Sequence, residues 1–424
     1  MIYYQKGSET SVLEERDLEE GLVTALDKWS EAKKILAVPP DFTRFHSFAG
    51  VLTGIVNRYF GSRLTDILPA LGTHTPMTAN EINTMYTGID VSKFRIHRWR
   101  EDVITVGEVP EEFVRNVSGG IINFSCPAQV NKLLIEGEYD LILSIGQVVP
   151  HEVSGMANYN KNILIGTGGR ESINKSHFLG AAYGMEKMMG KTDTPVRKVL
   201  NYASENFLAD LPLLYILTVV GADETGDLRV RGMFIGDDEE CFLKASQLSL
   251  KVNFMMLDKP LKKVVVYLDP DEYKSTWLGN KSIYRTRMAL ADDAELIVLA
   301  PGVKMFGEDR EIDGLIRKYG YANTPKILNR AEQNEDLKAN LSAAAHLIHG
   351  SSEERFTITY CPGSLSKQEI EGVQFRYADP GKMMKKYNPE KLKNGFNYMP
   401  DGEEIFYIQN PGLGLWAYKE RFGK

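Results

Sequence analysis

Three times within its first 185 residues the chain runs a short apolar segment into a polar loop marked by proline or glycine, and then into a helical pattern. The segments are Lys34–Pro40, Thr65–Gly72 and Tyr139–Ile145. Strands that alternate with helices favour a parallel sheet covered by helices, and this order constrains the fold more than any other feature. The three strand ends deliver Asp41-Phe42-Thr43-Arg44, then Thr73-His74, then His151 and Lys161. In open α/β sheets, polar groups at the carboxyl ends of the strands can converge in one crevice.

The remaining pattern agrees with this class. Ser11–Trp29 carries leucines among acids and reads as part of an amphipathic helix, Ala49–Tyr59 as a second. Thr78 with Glu81 matches a capping box, so a helix begins there. Ile216–Phe234 has the pattern of a hairpin, with Gly226 and Asp227 at its turn. At 424 residues the chain is too long for one ordinary core. A polar, proline-bearing joint at Leu257–Pro260 sets a first domain at 1–257 and a second at 258–395, with a tail, 396–424, expected to pack back on the first. In the second domain, Lys263–Leu268, Glu295–Ala300 and Phe356–Tyr360 read as strands; Ser282–Ala291, Asp309–Tyr319 and Asn334–His349 read as helices. The tail holds another strand, Glu404–Ile408. The expected fold is therefore α/β, two domains, each a mainly parallel sheet flanked by helices.

Composition narrows the function classes. A net charge of −7 argues against nucleic acid or anionic membrane as the main partner. The basic run Arg95–Arg100 reads as a solvated strand or helix face. Three scattered cysteines build neither a disulfide framework nor a CxxC metal site, so a cytoplasmic setting is expected. The first residues lack an apolar core of signal-peptide length, and no stretch reaches the roughly 18 apolar residues of a membrane span.

The candidate residues cluster in Val149–Gly180. Three of the seven histidines, His74, His151 and His177, fall on expected post-strand loops or the helix entry beside them. Asp41 and Arg44 are either a surface ion pair of little worth or an anion clamp, since guanidinium binds carboxylate or phosphate bidentately. Lys161 is either exposed or a desolvated amine free to act as nucleophile or tether. Gly166, Gly168 and Gly169 make a loop flexible enough to wrap phosphate. His346 and His349, one turn apart on a helix, read as core packing or a solvated face. Residue types alone point to an α/β enzyme with histidine acid–base chemistry on a small anionic substrate. A zinc hydrolase would need three ligands and a water, and no HExxH spacing occurs.

Taken together, D-x-x-R at Asp41/Arg44, G-T-H-x-P at His74, and P-H-x-x-x-G-x-x-x-x-x-K-x15-H through His151, Gly155, Lys161 and His177 resemble the lactate racemase family. These are nickel-pincer-nucleotide enzymes that racemise or epimerise 2-hydroxy acids. The resemblance implies an isomerase with its site in the cleft between two α/β domains. It implies nickel and a pyridinium-3-thioamide-5-thiocarboxylic acid mononucleotide, attached covalently at Lys161. His177 would be the protein's nickel ligand, and imidazole suits such a tetragonal site. His74 and His151 would be the acid–base pair, Arg44 would bind the substrate carboxylate, and Asp41 would position its neighbours. A small 2-hydroxy acid or sugar acid and the cofactor-making proteins are the implied partners. Other readings are a non-catalytic binder of sugar acid or nucleotide on this scaffold, and a zinc-dependent hydrolase.

The chain also departs from the family. The family's serine- and glycine-rich, arginine-containing run before the lysine is replaced by Met156-Ala157-Asn158-Tyr159-Asn160. The cofactor phosphate would then fall to Asn158, Asn160 or the 166–169 glycines. In place of the second-domain Q-x-x-K stands Arg285-Thr286-Arg287-Met288, with Arg285 or Arg287 as the expected substitute for the lysine. The second-domain tryptophan of the lactate enzyme has no placed counterpart. These changes favour a larger, polar substrate over lactate.

Overall fold

The computed structural model describes residues 1–223 and 226–422. The chain divides into two compact units, Met1–Ser176 with Gly190–Asn253, and His177–Met189 with Phe254–Lys424. The second unit thus takes a segment from within the first 257 residues.

The first unit is built on a six-stranded sheet. Its order is Ile2–Gly7, Leu228–Gly236, Leu213–Ala222, Leu141–Gln147, Ile35–Val38 and Leu64–Ile67. The last four strands are parallel to one another, and the hairpin and the N-terminal strand continue the sheet antiparallel. Every residue of Ile35–Val38 and Leu141–Gln147 is buried. Strands covered on both faces read as near-continuous apolar runs rather than as alternation, and these two do. On one face Ile35, Ala37, Leu141, Leu143 and Ile145 pack against Leu18, Leu22, Leu52 and Val56 of the helices Glu15–Leu26 and Ala49–Phe60. Each such side chain contributes roughly 1.5–3 kcal/mol by leaving water. The Thr78 capping box is present, with Thr78 Oγ1 accepting from Glu81 N at the start of Ala79–Met85.

The second unit has its own six-stranded sheet, in the order Arg376–Tyr377, Thr357–Pro362, Leu290–Ala300, Leu261–Tyr267, Glu404–Ile408 and Gly395–Tyr398. All neighbours are parallel except the last pair.

The tail does not belong to the first unit. Ile405 and Tyr407 are buried on one face of this second sheet, and Phe406 and Ile408 on the other. An apolar strand of this kind must satisfy hydrogen bonds on both edges, and Leu261–Tyr267 and Gly395–Tyr398 supply them. Leu415–Tyr418 pairs with Phe254–Leu257, also within the second unit.

Two helix expectations are corrected. Instead of Ser282–Ala291, two single turns form at Thr276–Gly279 and Lys281–Tyr284, because Ser275 caps Leu278 N and Leu290 onward is claimed by the sheet. The expected Asn334–His349 helix breaks, because the Asn340 side chain caps a fresh helix, Leu341–His349. No helix among the described residues is long and apolar enough to cross a membrane.

Candidate active site

The three adjacent parallel strands Leu141–Gln147, Ile35–Val38 and Leu64–Ile67 feed the loops that carry the first-unit candidates. Past Val38 the chain enters a tight helical segment, Phe42–Ser47, whose N-cap is the buried Asp41. Both carboxylate oxygens of Asp41 are used. Oδ1 accepts from Thr43 N at 3.1 Å and Thr43 Oγ1 at 2.5 Å, and Oδ2 meets His74 Nδ1 at 2.5 Å. Burial alone would raise the Asp41 carboxyl, but the His74 ring, the Thr43 hydroxyl and the Arg44 charge outweigh it and hold it below its ordinary value. Asp41 is therefore an anion that fixes the His74 proton on Nδ1 and leaves the Nε2 lone pair as the base. Arg44 is half-buried and, among the described residues, gives one hydrogen bond, to the Thr43 carbonyl at 3.3 Å.

His151 is set in the opposite sense. It is buried in a two-residue strand, Pro150–His151, that pairs with Gly155–Met156. Its Nδ1 accepts the Val153 N–H at 3.1 Å. Glu152 Oε2 also lies 3.6 Å from that nitrogen, too long for a hydrogen bond, so the backbone donor decides the tautomer. The proton of neutral His151 then sits on Nε2.

Lys161 follows a loop anchored by asparagines. The Asn158 amide lies where a side chain on Gly146 would be, 2.4 Å from an added Cβ. Asn162 Nδ2 donates to the Val38 carbonyl and to Ser144 Oγ, both at 3.0 Å, tying the residue after Lys161 to two adjacent strands. Asn162–Gly166 forms a π-type turn, and the Gly72 amide donates to the Gly166 carbonyl at 2.8 Å. An added Cβ on Gly166 would stand 2.8 Å from Ala70 Cβ, so this approach requires glycine. The 166–169 stretch is thus a packed turn. It leads into the helix Arg170–Tyr183, which carries His177, half-buried, about two turns from its start.

Lys161 itself is half-buried and makes no hydrogen bond or ion pair among the described residues. Desolvation brings its amine down to about 8, with Glu152 opposing and the Arg44 and Arg197 charges adding to the fall. A tether must be a free amine to be acylated, and this lysine fits that role. No cluster of three or more His, Cys, Asp or Glu side chains able to hold a metal occurs among the described residues. A centre for which the protein supplies only the His177 imidazole needs none.

Residues 22–189 match the family model for the lactate racemase N-terminal domain. The likeness in sequence to lactate racemase lies in this stretch of the chain. A crystal structure of a protein from Thermotoga maritima matches with a TM-score of 0.82 at 26% identity, over 96% of this chain and 98% of that one. The lactate racemase apoprotein from Thermoanaerobacterium thermosaccharolyticum matches with a TM-score of 0.70 at 17% identity, over 96% and 93%, a likeness of fold. No curated protein matches.

The expected arginine substitutes of the second unit are spoken for. Arg287 is buried and its Nη2 donates to the carbonyls of Ile348, His349 and Ser351 at 2.7–2.9 Å. Arg285, also buried, donates to the Gly414 carbonyl at 3.2 Å. Both brace the backbone, so neither serves as the substrate-facing lysine substitute. His346 and His349 are buried on Leu341–His349. His346 stacks on Trp277 at 4.4 Å and meets Tyr321 Oη at 3.0 Å, a polar core network.

Three further residues were not singled out from the sequence. His97 is the buried member of the Arg95–Arg100 run, which is loop rather than strand or helix. Its Nε2 meets the Gly168 carbonyl at 3.0 Å, Asn131 donates to its Nδ1, and burial lowers it to about 4. Lys281 is buried, with its amine 5.5 Å from the Tyr273 ring centroid. Arg197 is buried behind the loop that ends in Lys161. Nothing in one sequence separates these from solvated cations; only their strand and helix neighbours do.

Proposed function

We propose that the protein is a racemase or epimerase that inverts C2 of a 2-hydroxy acid. The observation that carries this reading is the opposed setting of two histidines: His74 presents a lone pair on Nε2 because Asp41 holds Nδ1–H, and His151 presents Nε2–H because Val153 N–H occupies Nδ1. An inversion needs one group to take the hydroxyl proton of one configuration and another to return a proton to the other. Histidine, with an unperturbed pKa near ~6.5, serves in both directions.

The C2–H beside a carboxylate is a very poor acid, so the hydrogen is better removed as hydride while a base takes the hydroxyl proton. A nickel-pincer nucleotide, when bound, supplies the hydride-accepting chemistry. Lys161 would hold it covalently and His177 would ligate the metal. The Gly166, Gly168 and Gly169 turn, with Asn158, would lie against its phosphate. Asn160, whose amide groups are committed to Arg197 and Asn201, would act by holding the loop.

The chain's own residues do the rest. Arg44, half-buried with its remaining guanidinium hydrogens uncommitted among the described residues, would bind the substrate carboxylate and turn the C2 hydroxyl toward the imidazoles. Asp41 would keep the His74 tautomer fixed and stabilise the ring when it takes a proton. Extra polar groups in place of the lactate enzyme's run fit a sugar acid better than lactate.

The test is a screen of 2-hydroxy acids and aldonates against protein co-produced with the cofactor-making proteins, following configuration at C2. Exchange that is lost in His74→Ala and in His151→Ala is the expected result. Tight ligand binding with no exchange in nickel-loaded protein would instead make this a binding protein.

A further inference from the structure

The loop that ends in Lys161 holds a backbone that side-chain-bearing residues avoid. Asn158 and Tyr159 are both left-handed, at φ 68° and 60°. Each such residue costs on the order of 1 kcal/mol, so something must hold them there. The constraint comes from behind. Arg197, on the helix Pro195–Phe207, donates from Nη2 to the Met156 carbonyl at 2.6 Å, and from Nη1 to Asn160 Oδ1 at 2.5 Å and the Asn158 carbonyl at 3.4 Å.

The hold is extended on both sides. Asn160 Nδ2 donates to Asn201 Oδ1 at 2.7 Å, and Asn201 Nδ2 to Glu239 Oε1 at 2.6 Å. Thr194, the cap of the arginine's helix, also donates to the Ser154 carbonyl at 3.3 Å. The guanidinium lies 4.3 Å over the Phe242 ring, against which Tyr159 stacks.

Arg197 is 1% exposed and has no ion pair among the described residues. Burying a charge without a carboxylate partner is expensive, and a chain needing only packing would place a neutral side chain there. What the charge holds is the one loop that leads to Lys161.

We propose that Arg197 is a positioning residue for Lys161, supplying from a neighbouring helix the guanidinium that Met156–Asn160 lacks, fixing that loop's backbone and keeping a permanent positive charge beside the amine. This rests on the reading of Lys161 as the tether. The charged groups acting on the amine are Glu152, Arg44 and Arg197, and of these Arg197 alone also grips the loop.

The experiment titrates Lys161 in the full-length chain made without the cofactor genes, using trace acetic anhydride and peptide mapping to find the pH of half-maximal modification. It also measures the fraction of chains carrying an adduct at Lys161 after co-production with those genes. Arg197→Gln removes charge and grip, and Arg197→Lys keeps the charge but loses the fork. Arg197→Gln is expected to raise the midpoint toward the ordinary lysine value, Arg197→Lys to leave it nearer the wild type because the charge stays, and both to lower the adduct fraction about tenfold.

If the variants fold and keep the wild-type midpoint and adduct fraction, or lose thermal stability alone, the proposal is overturned. If they do not fold, Asn160→Ala, which removes one acceptor and leaves the guanidinium, tests the grip alone and must lower the adduct fraction. An unmodified wild-type protein whose midpoint still shifts in the variants would defeat the tether reading and leave the positioning of Lys161 standing.

Discussion

At the scale of single residues, the pair Asp41–His74 carries the most mechanism. Asp41→Asn keeps the shape but replaces an acceptor that is locked on Nδ1–H with an amide able to donate, so the imidazole loses its fixed tautomer. We predict a fall in kcat on the order of a hundredfold or more with little change in KM, measured by C2 exchange on the loaded enzyme. Lys161 gives a stability prediction with a defined sign. Below pH 8 the amine is protonated in both folded and unfolded chains, and the fold bears the cost of burying it. Between about 8 and 10.5 the unfolded chain keeps its proton longer, so stability rises with pH through that window. Lys161→Met should therefore raise stability at pH 7 by roughly 3 kcal/mol and flatten the curve between those values, as followed by denaturant titration. That Asp41, Arg44, His74, His151 and Lys161 lie past the ends of strands could be read from the sequence, because each follows an apolar run. The Asp41–His74 bond could not, since it joins two loops 33 residues apart whose contact is set by adjacent strands.

At the scale of elements, the turn after Lys161 is where packing and chemistry meet. Gly168 cannot bear a side chain, because a Cβ there would stand 2.1 Å from the Leu164 carbonyl oxygen and 2.9 Å from its carbon, both backbone. Gly168→Ala should cost about 1–3 kcal/mol by forcing the turn open, seen as a lower denaturation midpoint, and should lower the yield of modified Lys161 with it. The sequence marks this stretch as glycine-rich and therefore as a flexible loop. The structure makes it a π-turn wedged against Ala70 and Gln129, with glycine chosen for close approach rather than for motion. Composition cannot separate those two uses of glycine, because only the neighbours on other strands distinguish them. For the same reason the Asn334–His349 pattern read as one helix: its apolar period runs on through Asn340, and the cap that restarts the helix shows only in three dimensions.

At the scale of the molecule, alternating strands and helices were enough to give two α/β units. The tail was misplaced because a strand near a chain end carries no signal of which sheet completes it. The second unit also corrects the expectation for its arginines. Arg287→Met should lower the stability of the protein by about 3 kcal/mol, by leaving three carbonyls without their donor. It should leave the KM of any substrate unchanged, whereas an arginine that binds substrate would raise KM with little loss of stability. The proposed function requires a nickel-pincer nucleotide on Lys161 with His177 as its nickel ligand. It is tested most directly by intact-mass and metal analysis of protein co-produced with the cofactor-making proteins. The account predicts a stable adduct that maps to Lys161 and is lost in Lys161→Ala, with nickel retained in His74→Ala and His151→Ala but not in His177→Ala. Identical masses for the wild type and Lys161→Ala, with no nickel in either, would contradict it.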